Sequence, residues 1–98
     1  MTEEQKKFEF ELELNQVLAD IKMMLIKKNQ AYGNSALAPL RIFSKSSPLM
    51  QLQVRIDDKL SRLKNIKANS EYISDEDTIM DLIGYLVLYK IAKEKLKE

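Results

Sequence analysis

Phe8–Leu14 reads FEFELEL, a strict alternation of apolar and acidic residues that a half-buried β-strand would carry. Whether it is strand or helix decides the fold class. Outside those seven residues the alternation disappears. Phe10, Leu14, Val17, Leu18, Ile21, Met24 and Leu25 continue at helical spacing, with no glycine or proline between them. The stretch is therefore read as part of one helix, over about residues 3–29. Thr2 and Gln5 of TEEQ supply a capping box at its start. On that reading Phe8 and Leu12 form a second apolar edge, which suggests contact with another subunit.

The rest of the chain supports an all-α class. Two glycines and two prolines in 98 residues leave little punctuation, and helix formers dominate. A second helix is expected over about 48–66, with Ser47 as N-cap, Pro48 at the first helical position, and KANSEY as its exit. Its apolar stripe reads Leu49, Leu52, Ile56, Leu60 and Leu63. A third helix is expected over about 75–97, capped by Ser74 with Asp77 three residues on. From Ile79 to Ala92 it runs IMDLIGYLVLYKIA, apolar on nearly every side, which implies burial all round. Three helices do not easily cover it. A homo-oligomer completing a helical bundle is expected, with residues 1–98 forming a single domain.

Composition narrows the chemistry. Neither cysteine nor histidine occurs, which removes disulfides, thiolate sites and the commonest general base. Sixteen basic and fifteen acidic residues give a net charge of +1, without the basic excess of a duplex-DNA binder. No apolar run approaches the length of a membrane span, and MTEEQKK has no signal-peptide core, so neither a membrane partner nor secretion is expected.

Three polar groups carry the functional reading. Arg55, Asp58, Lys59 and Arg62 share one side of the second helix. They read either as a solvated face with an Asp58–Arg62 pair or as one wall of a charged pocket. Asp81 lies one turn inside an apolar helix, on a face with Asp77, Gly84 and Tyr85, and needs a cation drawn from the Arg55/Lys59/Arg62 stripe. Gly84 serves either close helix packing or approach to a ligand. In the 30–47 connection, expected to be ordered, Gly33 can end the first helix in the left-handed conformation. Asn34 and Ser35 offer short polar groups, Tyr32 a ring for stacking, and Lys27, Lys28 and Arg41 flank them. An ordinary cap and turn is the plainer reading of that loop.

KKNQAYGNSAL, RIDDKLSRLKN and SDEDTIMDLIGYLVLY, in that order, resemble the first nucleotide modification associated domain family. Its motifs are K-x3-YG-N/S, R-x-x-DK-x-x-RL and E-D-T-x-x-DL-x-x-Y, and the resemblance spans roughly Lys27 to Tyr89. It implies a phage-type protein distantly similar to the MazG-like all-α pyrophosphohydrolases, acting in the cytoplasm of a bacterial host cell. It also implies a nucleotide site at Lys28, Tyr32, Gly33, Asn34, Arg55, Asp58, Lys59, Arg62, Asp77, Asp81 and Tyr85. Ser35 and Arg41 join that ligand set from the loop reading.

A hydrolase of that kind holds Mg²⁺ between an E-x-x-E pair and an E-x-x-D pair on two helices. Here Glu76, Asp77 and Asp81 are the candidate metal ligands, with Asp58, Asp77 and Asp81 as candidate catalytic groups. The E-x-x-E helix is replaced by RIDDKLSR. An incomplete acidic set among fixed cations suits phosphate binding better than metal-assisted hydrolysis. The favoured expectation is thus a nucleotide binder with no cofactor and no catalytic residue, and the resemblance to a phage-type family implies its use as a sponge for a host defence signal. The Mg²⁺-dependent hydrolase is the alternative, and a protein-interaction module the second.

Overall fold

The computed structural model describes residues 1–33, 46–69 and 76–95, with the backbone alone over 66–69. Among them the chain is all-α: α1 Glu3–Tyr32, α2 Pro48–Asn69 and α3 Glu76–Lys95. Ser74, the 34–45 part of the connection and residues 96–97 of the expected third helix lie outside the described residues.

FEFELEL is helical. Among the described residues no strand lies beside it to accept its alternation, and the capping box at its start closes as a helix requires. Gln5 N–H donates to Thr2 Oγ1 at 3.1 Å, and Thr2 N–H donates to Gln5 Oε1 at 2.9 Å. Glu3 and Glu4 sit in the first turn, where the helix dipole favours them. The far end runs three residues past the expected Asn29, to Tyr32. Gly33 is the first residue that adopts the left-handed conformation without strain (φ 59°, ψ 39°), and its N–H returns to the Asn29 carbonyl.

At the start of α2, Ser47 Oγ accepts from Met50 N–H at 3.1 Å, with Pro48 in the first turn. The helix continues to Asn69, three residues beyond the expected end, because KAN contains no breaker. Its inward stripe differs from the expected one. Leu52 is 1% exposed and Lys59 9%, whereas Leu60 is 50% exposed. At 100° per residue, Leu52, Ile56, Lys59 and Leu63 fall within a sector of about 60°, and Leu60 lies outside it. Lys59 takes the inward place because a carboxylate on α3 waits there.

Paired side chains descend α3 as they ascend α2: Gln53 with Tyr89, Arg55 with Tyr85, Lys59 with Asp81. The two helices therefore pack antiparallel. Among the described residues α1 packs on α3 and not on α2. It crosses α3 at Gly84, where an added Cβ would stand 3.0 Å from Met24 Cε and 3.2 Å from Leu25 Cδ2. Glycine there lets the two helices approach. Within one chain the described helices leave part of α3 uncovered, as expected from its apolar circumference. Leu86, Val87 and Ile91 stay 49%, 36% and 38% exposed, because α1 and α2 take only two flanks. No described helix is long and apolar enough to cross a membrane.

Candidate functional site

The crossing of α1 over α3 leaves a cleft of about 410 Å³ beside Gly84. The last turns of α1 contribute Met24, Leu25, Lys28, Asn29 and Tyr32 to its wall. From α2 comes Arg55, and from α3 come Asp81, Gly84, Tyr85 and Leu88. Met24, Leu25 and Leu88 give an apolar floor. Lys28, Arg55, Asn29 and the two tyrosines give the polar rim.

Asp81 organises the charges. Lys28 Nζ donates to Asp81 Oδ1 at 2.8 Å, and Lys59 Nζ approaches Oδ2 at 3.1 Å. The carboxylate thus ties all three helices together. The side chain of Lys59 is 11% exposed and that of Lys28 48%, so one lysine is a buried strut and the other reaches into solvent. Burial by itself pushes the Asp81 carboxyl up, but hydrogen bonds from Lys28 and Lys59 more than offset it and hold the group below the usual carboxylate range. The hydrogen bond to Asp81 likewise raises Lys28 above the usual lysine value, against the smaller opposing effect of burial. Arg55 is directed elsewhere. Its guanidinium carbon stands 5.8 Å from the Tyr85 ring centroid, and Nη1 donates a long 3.4 Å hydrogen bond to the Tyr85 hydroxyl.

Of the residues read as a site from sequence, Lys28, Tyr32, Arg55, Asp81 and Tyr85 line the cleft. Lys59 stands behind it, holding Asp81. Gly33 caps α1 just beyond Tyr32, where an added Cβ would meet no other atom of the described residues within 4 Å. Asp58 and Arg62 do not line it: they pair with each other at 3.4 Å on the outer face of α2, both more than half exposed. Their helix face and that of Arg55 and Lys59 are contiguous in sequence, but only one edge turns inward. Asp77 and Glu76 are exposed in the first turn of α3. Asn34, Ser35 and Arg41 lie outside the described residues. Of the Arg55/Lys59/Arg62 stripe expected to supply a cation to Asp81, Lys59 does so, joined by Lys28 from α1, while Arg55 and Arg62 do not. Lys28 sits on α1, and nothing in its sequence neighbourhood announces a partner on α3. Asn29 was missed as a wall residue, although it stands one turn before Gly33.

Among the described residues the acidic groups do not assemble a magnesium site. Both Asp81 oxygens already accept from lysines, and among the described residues no three acidic groups converge closely enough to share a metal. The arrangement is suited to an anion instead. Two lysines engage one carboxylate, and Lys28 and Arg55 on the cleft wall offer an incoming phosphate two cationic side chains while Lys59 keeps Asp81 in place. Comparison of the chain with known protein families, curated proteins and solved structures finds no match.

Proposed function

We propose that the cleft binds a phosphorylated nucleotide, or a small molecule derived from one, and holds it without turnover. The observation that carries this reading is the shared mouth of Lys28, Arg55, Tyr32 and Tyr85 over an apolar floor. Phosphate groups suit Lys28 and Arg55, while a base or ribose suits the tyrosine rings and Leu88. A volume of about 410 Å³ falls in the range of small-molecule sites. Engagement of Asp81 by two lysines favours retention over hydrolysis, since the carboxylate is not free to serve as a metal ligand or base. The resemblance of the three motifs to a phage-type nucleotide family fits a sponge that sequesters a host signal in the bacterial cytoplasm.

The test is calorimetric titration of the full chain with a panel of mono-, di- and triphosphate nucleotides and cyclic dinucleotides, each with EDTA. Binding is expected to survive chelation and to weaken with rising salt, because salt screens partly exposed ionic contacts. Arg55→Ala is expected to lower the affinity by ~1.5–3 kcal/mol, the range for hydrogen bonds to a charged group. Mg²⁺-dependent multiple turnover of a nucleoside triphosphate, abolished by Asp81→Asn, would replace this reading with the hydrolase.

A further inference from the structure

We propose that two copies of the chain exchange the amino-terminal halves of α1, each laid antiparallel in the apolar groove on the back of the other copy's α3. Every residue from 1 to 20 is exposed, although this half of α1 carries the same apolar stripe that packs inside the chain from Ile21 onward. Phe10 is 60% exposed, Leu14 42%, Val17 51% and Leu18 53%. A helix does not carry such a stripe in water without something to cover it.

The chain also holds an empty seat of matching shape. Ile83, Leu86, Val87 and Ile91, with Lys90 and Glu94 at the rim, line a shallow groove of about 360 Å³ on the face of α3 away from α2. The groove residues span 83–94 and the bare stripe spans 8–18, so at 1.5 Å per residue each is roughly 16 Å long. One chain therefore supplies both a ridge and a receiving groove, and a two-fold pair satisfies both at once.

Charge selects a second copy. Five glutamates against two lysines make residues 3–14 acidic, whereas Lys90, Lys93 and Lys95 against Glu94 make the end of α3 basic. An antiparallel placement brings those two ends together.

Absence of native cysteine makes the test direct. Leu14→Cys and Val87→Cys are prepared as separate full-length variants, both at positions exposed within the chain, then mixed under mild oxidation. The expected product is the mixed Leu14→Cys/Val87→Cys disulfide, with sedimentation equilibrium of the parent giving the mass of two chains. Leu14→Glu is expected to raise the dimer dissociation constant by roughly a hundredfold or more, since it places a charge against apolar surface. Its helical circular dichroism should be retained. A parent mass of one chain, or Leu14→Cys bonding to itself as readily as to Val87→Cys, would overturn the exchange. Either result leaves the nucleotide reading of the cleft untouched.

Discussion

Two ionic clusters draw on α2, each an aspartate with basic side chains, yet they sit in opposite surroundings. Asp58 and Arg62 face outward at 3.4 Å, with side chains 58% and 59% exposed. One position further along, Lys59 faces inward to Asp81, which also receives Lys28 from α1. The outer pair lies within one helix and fixes nothing beyond it. The inner group joins three helices around one carboxylate. Depth separates a surface pair worth little from an ionic group whose disruption is costly.

Removal of Asp81 should break that contrast most severely. Asp81→Ala strands Lys59 in an inward position with no counter-charge, and releases Lys28 from α3. A fully buried pair would lose ~3–5 kcal/mol when broken. Partial exposure of Asp81 and Lys28 lowers the expected loss to about 2–3 kcal/mol. Lys59→Met should cost less, about 1 kcal/mol, because Lys28 still holds the carboxylate and the methionine stem refills the space. Urea denaturation of the three proteins measures the order. Equal losses for Asp81→Ala and Lys59→Met would show that Lys28 contributes nothing to holding Asp81.

Acidity offers a second way to separate the clusters. The folded Asp81 carboxyl lies below its unfolded value of about 3.9, so its contribution is present above that pH and is lost as pH falls through the folded value. Lys28 is raised, so its contribution is present below its unfolded value of about 10.4 and is lost as pH rises through the folded one. The difference in unfolding free energy between the parent and Asp81→Asn should therefore form a plateau between roughly pH 4 and 10. It should narrow on both sides. A difference that does not change from pH 2 to pH 7 would mean that Asp81 gains nothing from its lysines.

The sequence carried the fold class, the caps at Thr2, Ser47 and Gly33, and the face of α3 that presents Asp81 and Tyr85. Those features follow from periodicity and local hydrogen bonding, which act within a few residues. The partners of Asp81 were less legible. On α2, Arg55, Lys59 and Arg62 all lie within one broad side, and choosing between them needs the rotation of the helix about its axis. That rotation is set by packing of Leu52 and Ile56, at a resolution finer than one residue. Lys28 was readable as a cation near a loop, but its placement on Asp81 depends on where α1 crosses α3. Gly84 marks that crossing only once Met24 and Leu25 are seen against it.

The smallest expected effects belong to the outer pair, and they decide how much of α2 serves the cleft. An exposed i, i+4 pair on a helix contributes ~0.3–0.5 kcal/mol. Arg62→Ala should therefore lower stability by no more than that, and the loss should fade in high salt as the charges are screened. Because neither Arg62 nor Asp58 lines the cleft, nucleotide affinity of Arg62→Ala should stay within about twofold of the parent, less than 0.5 kcal/mol. Arg55→Ala, two turns earlier on the same helix, provides the internal control, since its guanidinium lies beside Tyr85 at the cleft wall. Calorimetry of the two variants with one nucleotide is sufficient. A tenfold loss at Arg62 with none at Arg55 would mean that the ligand lies along the outer face of α2, and the cleft would have to be abandoned as the binding site.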